Sequence, residues 1–369
     1  MLISVNSTWN IWNFRRPLVE ALLADGHEIT IVAPKDDAAL KLEALGCKVR
    51  HLKMSVKGLN PLQDVTLLYR LRRIFQEVGP DIVLSFTIKN NIFGALAAKA
   101  LKVAFIPNVT GLGTAFLSGG TLERVAVVLY RKAFSELQIV FFQNDDDRTL
   151  FVKKGIVTNG QGRRLPGSGI DLDHFAFAAY PTERVFPVFL MISRLLKDKG
   201  VHEFVDAARI IKAQHPETRF QLLGAAESKN RSAIDKETVH GWEQAGVVEY
   251  LGTVDDVRPF IEIAHCVVLP SYREGAPRTL IEAAAMGRPI ITTDVPGCRD
   301  VVDDQKTGFL CEMRSGESLA AACEKFLELS TSDRITMGNL GRKKIELEFD
   351  QKLVVKAYRS VLKDMLRAV

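Results

Sequence analysis

Residues 266–282 read Cys266-Val267-Val268-Leu269-Pro270-Ser271-Tyr272-Arg273-Glu274-Gly275-Ala276-Pro277-Arg278-Thr279-Leu280-Ile281-Glu282. An apolar run, a polar turn and a proline ahead of a helical pattern make a strand, a loop and a helix in succession. Pro277 suits the first helical turn, where its missing N–H does no harm. The amides of Arg278, Thr279 and Leu280 are then expected to point outward, and a helix start of this kind holds phosphate. Glu274 stands just before that start and Glu282 about one turn inside it. Two carboxylates so placed can hold sugar hydroxyls on either side of a phosphate. Otherwise Glu274 caps the helix and Glu282 is a solvated or core-edge residue.

The same alternation runs outward through the chain. Leu2–Val5, Ile29–Ala33, Lys48–Leu52, Ile82–Phe86, Ala104–Val109 and Ile139–Gln143 read as buried strands, separated by helical patterns such as Pro61–Val78 and Leu122–Leu137. Val188–Ile192, Phe220–Leu223, Val248–Leu251, Cys266–Pro270, Ile290–Thr293 and Gly308–Leu310 repeat the theme, with helices between them. Strands alternating with helices form parallel sheets covered on both faces. The expectation is an α/β chain of two doubly wound, Rossmann-like domains facing an interdomain cleft, with ligands outside the carboxyl ends of the strands. Periodicity breaks at Phe175–Pro187, which predicts domains 1–178 and 179–350. The tail 351–369 carries a basic amphipathic helix expected to pack back towards the first domain.

Composition narrows the function. The chain has 369 residues, 47% hydrophobic and 25% charged, which excludes a disordered or disulfide-built protein. No apolar run is long enough to span a bilayer, and Met1-Leu2-Ile3-Ser4-Val5-Asn6 does not open a signal peptide. A cytoplasmic location follows as an expectation. Five cysteines without a C-x-x-C pair predict reduced thiols and no zinc site. Residues 1–180 hold 22 Lys+Arg against 16 Asp+Glu, a surplus of six. That suits an anionic partner or membrane surface and falls short of a nucleic-acid binder.

A second motif, Ser193-Arg194-Leu195-Leu196-Lys197-Asp198-Lys199-Gly200, follows the first strand of the second half. An Arg and a Lys across one turn can neutralise a diphosphate, the one as a fork and the other as a point charge. Alone, the pair also reads as a solvated charge cluster. In chain order with the Glu274…Glu282 spacing and Pro289-Ile290-Ile291-Thr292-Thr293, it resembles the retaining nucleotide-sugar glycosyltransferases of family 4, of GT-B fold. The resemblance covers nearly the whole chain. It implies that Arg194 and Lys199 bind the donor diphosphate and that Glu274 contacts the donor sugar. It further implies that Glu282 holds the ribose, that the amides of Thr279 and Leu280 cradle phosphate, that Gly275 and Pro277 belong to the same donor site, and that the base lies against Leu251 and Gly252. A UDP-sugar donor is implied, with no further cofactor. Fixed positive charge and helix amides then stand where a metal would.

Asp145-Asp146-Asp147 and Asp171-Leu172-Asp173 satisfy D-x-D, but the first reads as a helix cap and dipole partner and the second as a loop, so no metal is expected. On the acceptor side, Asn6, Trp9, Lys89, Thr110 and Gly111 follow strand ends of the first half. Asn6 and Trp9 either bind a sugar or form a cap followed by core aromatics, and Lys89 either meets a pyrophosphate or is a solvated helix start. The first half resembles bacterial lipid-linked-oligosaccharide and surface-polysaccharide N-acetylgalactosaminyltransferases. That implies a polyprenyl-diphosphate-linked sugar as acceptor and peripheral contact with the inner face of the cell membrane. Leu67–Phe75, Val127–Lys132 and an apolar loop at Ala115–Gly120 are the candidate contacts, or the two helices simply cover the sheet. The alternatives are a transferase acting on a soluble acceptor and a non-catalytic nucleotide-sugar-binding protein.

Overall fold

The computed structural model describes residues 1–55, 60–112, 116, 120–182, 186–226 and 232–366. The chain forms two units, Met1–Gly169 with Gln351–Val369, and Ile170–Asp350.

The first unit is built on seven parallel strands: β1 (Leu2–Ser4), β2 (Thr30–Ala33), β3 (Lys48–His51), β4 (Ile82–Phe86), β5 (Ala104–Val109), β6 (Val140–Phe142) and β7 (Gly162–Arg164), in the order β3-β2-β1-β4-β5-β6-β7. Successive residues of a strand point to opposite faces. Leu2, Val83, Phe105 and Phe142 accordingly enter one core, and their neighbours Ile3, Ile82, Leu84, Ile106 and Phe141 enter another. Helices Pro61–Val78, Ile88–Leu101 and Gly120–Phe134 close the first core. Helices Thr8–Phe14, Arg16–Ala24, Ala38–Ala44 and Gln351–Leu366 close the second. The last of these buries Val354, Tyr358, Leu362 and Met365, a single stripe at helical spacing.

The second unit has six parallel strands: β8 (Val188–Ile192), β9 (Arg219–Leu223), β10 (Glu249–Tyr250), β11 (Cys266–Leu269), β12 (Ile290–Thr293) and β13 (Gly308–Cys311), in the order β10-β9-β8-β11-β12-β13. Both sheets therefore reverse direction of growth beside their first strand, at β1/β4 and at β8/β11. Loops leaving a reversal point diverge and open a crevice outside the carboxyl ends.

Three expectations need correction. The boundary lies at Gly169/Ile170, not 178/179. Segment 170–179 is claimed by the second unit: Phe175 is in its core, Ala178 N–H donates to Met286 O at 3.3 Å, and Arg342 donates to Phe175 O at 2.9 Å. Loss of periodicity marked an irregular segment, and its packing decided which unit owns it. Residues 183–185 of the expected seam lie outside the described residues. The edge strand β7 went unforeseen because only Gly162 of its three residues is buried. Helices Lys236–Gln244 and Thr331–Glu348 also escaped the periodic reading. The latter buries only Met337, Gly338, Gly341 and Ile345, too thin an apolar stripe to read against so polar a segment.

Arg288 is fully buried and caps three carbonyls, Ile261 O through Nε at 3.1 Å and Ala178 O and Ala179 O through Nη2 at 2.9 and 2.6 Å. Burial draws its guanidinium down to about 10. Arg288→Met would leave those carbonyls without donors and should destabilise the second unit by about 3 kcal/mol. Calorimetry should find its transition lowered by roughly 6–12 °C.

Candidate active site

At the reversal point of the second sheet, the loop after β8 lies on the end of β11. Gly200 makes this possible: it has φ +76°, and a Cβ there would stand 2.0 Å from Pro270 O. Asp198 joins the two loops. Its carbonyl accepts from Tyr272 N–H at 3.0 Å and from Ser271 Oγ at 3.2 Å, and its carboxylate accepts from Ser232 Oγ at 2.6 Å. Sequence reasoning gave Asp198 no role, since it is an ordinary polar residue inside a charged loop. The single turn Lys197–Lys199 then delivers Lys199 to Glu274, and Nζ and Oε1 form an ion pair with both side chains largely buried. Arg194 starts the same loop and is exposed.

The helix that follows Glu274 runs Arg278–Ala285. Pro277 is not inside its first turn but at the cap, with φ −71° and ψ 103°. Its carbonyl accepts from Leu280 N–H at 3.1 Å and Ile281 N–H at 3.2 Å. The Leu280 amide, expected to face outward, is thus turned back into the chain, because the first turn tightens onto Pro277 O. The Leu280 side chain is core. Thr279 is half-buried in the first turn, where a helix amide has no intrahelical acceptor. Gly275 and Pro277 are buried in the loop that carries Glu274, whose N–H donates to Pro296 O at 3.2 Å.

Glu282 is buried at 7% exposure. Desolvation raises its carboxyl above the ordinary value, and the Arg278 guanidinium, with Nε 2.7 Å from Oε1, offsets this only in part. Arg278 was named for its amide alone. Its i,i+4 relation to Glu282 was the sequence signal that pointed to the side chain.

On the other side of β8, the ends of β9 and β10 are drawn together. Gly224 N–H donates to Gly252 O at 2.7 Å, Leu251 N–H to Leu222 O at 2.9 Å, and Tyr250 Oη to Gly224 O at 3.0 Å. Gly224 has φ +144°, and a Cβ would lie 1.8 Å from Ser193 O. Arg194, Lys199, Glu274, Gly275, Pro277, Thr279, Leu280, Glu282, Leu251 and Gly252 therefore all lie at the carboxyl end of one sheet or on the helix leading away from it. Lys199 and Glu274 are in direct contact.

In the first unit, Asn6, Lys89, Thr110 and Gly111 follow β1, β4 and β5 at the carboxyl end. Asn6 is half-buried and its Oδ1 has no hydrogen-bond partner among the described residues. Trp9 is exposed, edge-on to Phe14 at 5.2 Å. Lys89 is neither solvated nor presented alone: its Nζ is 2.8 Å from Asp64 Oδ1, with both side chains largely buried. The helix start after β1 is occupied by the protein's own carboxylate. Asp36 accepts from Ser7 Oγ at 2.8 Å, from Thr8 Oγ1, from Trp9 N–H at 3.2 Å and from Ala38 N–H at 3.1 Å. Partial burial opposes the charge of Asp36, but these donors outweigh it and hold the carboxyl below its usual range. An anion already sits where a Rossmann-like sheet offers amides to a phosphate.

The D-x-D stretches have local duties. Asp145, Asp146 and Asp147 fill the first turn of helix Asp145–Lys153, where Asn144 Oδ1 accepts Asp147 N–H at 2.7 Å. Asp171 Oδ1 accepts the amides of Asp173 and His174, each at 3.0 Å. Among the described residues no three His, Cys, Asp or Glu side chains cluster as a metal site. No helix among them is long and apolar enough to cross a membrane. Of the expected membrane loop at Ala115–Gly120, residues 115 and 117–119 lie outside the described residues.

Two parallel Rossmann-like sheets with a cationic loop and paired glutamates at the end of the second define the glycosyltransferases of GT-B fold. Residues 11–167 match the family described as glycosyl transferase 4-like domain, and residues 176–344 match glycosyl transferases group 1. The chain belongs to this group 1, family 4 set of glycosyltransferases. It is 27% identical over 378 residues, 98% of this chain and 97% of the relative, to the N,N'-diacetylbacillosaminyl-diphospho-undecaprenol alpha-1,3-N-acetylgalactosaminyltransferase of Campylobacter jejuni. It is 24% identical over 282 residues, 72% and 71% of the two chains, to the UDP-Gal:alpha-D-GlcNAc-diphosphoundecaprenol alpha-1,3-galactosyltransferase of Escherichia coli. The fold is shared with a solved sucrose-phosphate synthase from Thermosynechococcus elongatus, with a TM-score of 0.83, 18% identity and coverage of 100% and 99%.

The buried carboxylate makes the site measurable without a ligand. Because Glu282 titrates above its ordinary 4.5 in the folded chain, its contribution favours folding below that value and is lost as pH rises through the folded value. Glu282→Gln should therefore raise the unfolding temperature at about pH 7.5, with the gap closing towards about pH 4. A constant gap across that range would contradict this account.

Proposed function

We propose that this hexosyltransferase moves a sugar, of the N-acetylhexosamine class, from a UDP-sugar to a sugar carried on polyprenyl diphosphate, with retention and without a metal ion. The observation that carries the reading is the contact of Lys199 with Glu274 at the β8/β11 reversal, with Arg194 on the same loop. As the bond from the sugar C1 to the phosphate oxygen breaks, negative charge grows on the departing UDP and positive character on the sugar. Arg194 and Lys199 meet the first charge and the Thr279 amide adds a dipole, while Glu274 holds donor hydroxyls beside the second. Glu282 takes the ribose hydroxyls and exchanges its Arg278 contact for them. The acceptor oxygen forms its bond to C1 on the face the phosphate leaves, and its proton passes to the phosphate oxygen.

The two relatives above, whose names specify diphospho-undecaprenol acceptors, support the acceptor class, and the UDP-Gal in the name of one supports the nucleotide. A lipid-linked acceptor also places the reaction at the inner face of the membrane, in glycan or polysaccharide assembly. The Asp36 clamp favours the second unit as the seat of the donor diphosphate.

UDP release from a panel of UDP- and GDP-sugars, with and without a short polyprenyl-diphosphate-sugar and with EDTA, tests the reading. One UDP-sugar should turn over, stimulated by that acceptor and indifferent to EDTA. Turnover with soluble sugars alone would favour a soluble acceptor, and UDP binding without turnover of any donor–acceptor pair a non-catalytic protein. Lys199→Ala and Glu274→Ala should each slow transfer by roughly 10²–10³-fold, about 2.7–4 kcal/mol. A variant at near-parental rate would remove that residue from the mechanism.

A further inference from the structure

The helix Pro61–Val78 is apolar on two sides. Leu67, Leu71 and Phe75 are buried in the first unit's core. At 100° per residue, the row Leu62, Val65 and Tyr69 faces about 150° away from them, and these side chains are 81%, 67% and 68% exposed. Arg72 and Arg73 continue that row, exposed. The expected membrane segment, Leu67–Phe75, is thus half core, and the free surface begins one turn earlier in the chain.

A second helix repeats the pattern. Gly120–Phe134 exposes Val125 and Val128 together with Arg124, Arg131 and Lys132. Both helices pack against Ile88–Leu101, so they lie on the same side of the sheet. The nearby carboxylates are already matched: Asp64 to Lys89, Glu77 to Arg73 and Glu123 to Lys154. What remains is apolar side chains bordered by exposed Arg72, Arg124, Arg131 and Lys132, and by Arg73, whose pair with Glu77 is open to solvent and so holds it only weakly. Single exposed hydrophobics are ordinary, but a row with a cationic border is not.

We propose that this face, centred on Leu62, Val65, Tyr69, Arg72 and Arg73, docks on an anionic lipid bilayer. The aliphatic groups and the tyrosine ring enter the interfacial layer and the arginines meet lipid phosphates. The proposal rests on the lipid-linked acceptor of the proposed function, because a bilayer is where that acceptor resides. Charge complementarity selects the bilayer over a second copy of the chain, whose like-charged face would repel this one. A rival basic face, Lys352, Lys356 and Lys363 on helix Gln351–Leu366, lies on the other side of the sheet and has only Leu353 as an exposed large apolar neighbour on its helix.

Co-sedimentation of the full chain with phosphatidylcholine vesicles, with and without a quarter phosphatidylglycerol and with no acceptor present, tests this. The wild type should bind the anionic vesicles. Leu62→Ser/Val65→Ser/Tyr69→Ser and Arg72→Glu/Arg73→Glu should each bind roughly tenfold more weakly or worse, whereas Lys352→Glu/Lys356→Glu/Lys363→Glu should bind as the wild type does. Transfer to a water-soluble short-chain acceptor should be unchanged in all three, which also reports that they fold. Undiminished vesicle binding by the two first variants, loss only in the third, or a self-association abolished by the Leu62 variant would overturn the proposal. Vesicle binding by a chain that turns over no UDP-sugar would uphold the face and count against the function it was read from.

Discussion

The second unit depends on the way the loop after β8 is pressed onto the end of β11. Parallel sheets splay their loops at the reversal point, and a splayed site leaves charges in water, where they interact weakly. Here Gly200 removes the Cβ that would hold the loops apart, and the Asp198 carbonyl accepts from both residues that follow Pro270. Lys199 and Glu274, seventy-five residues apart in sequence, then meet with most of their surface excluded from solvent. In the proposed reaction a cation already partnered and partly dehydrated suits a diphosphate, because little reorganisation remains when the ligand's charge arrives.

The two sheets share one topology and differ in what stands at the reversal point. In the first unit Asp36 draws in two hydroxyls and the Trp9 amide at the helix start, and the Ala38 amide beside it, which closes that position to another anion. In the second, the helix start is capped by Pro277, which has no side-chain group to turn inward. The same contrast separates the cations, since Lys89 is buried against Asp64 whereas Arg194 stands in solvent. Glu282 shows the cost of the open arrangement. Its carboxyl is buried, and Arg278 offsets the desolvation only in part, which makes it a destabilised group of the kind that collects at functional sites.

Most of the fold was legible because its signals are local. β4, β5, β8 and β12, and the helices Pro61–Val78 and Gln351–Leu366, run as the apolar periodicities predicted. What escaped lacked a local signal, as in the mostly exposed strand β7 and the thinly apolar helix Thr331–Glu348. For the site, residue types and spacing singled out Arg194, Lys199, Glu274 and Glu282. They could not foretell that Pro277 would cap the helix and take back the Leu280 amide, since that follows from one backbone angle. Nor could they find Asp198 or the side chain of Arg278, whose importance lies in what they touch.

By itself the sequence determined the class: two alternating α/β halves, the order of their strands in the chain, and a family-specific arrangement of cationic and acidic residues in the second. Periodicity and residue spacing are properties of neighbouring positions, so one dimension contains them. The tertiary structure decided which segment each unit owns, which charges meet partners and which stay open, and which face of a doubly apolar helix is core. Those outcomes come from contacts between distant residues and from burial, and neither exists until the sheets close. Leu67 and Tyr69 are two positions apart in one helix, yet one fills the core and the other stands in solvent.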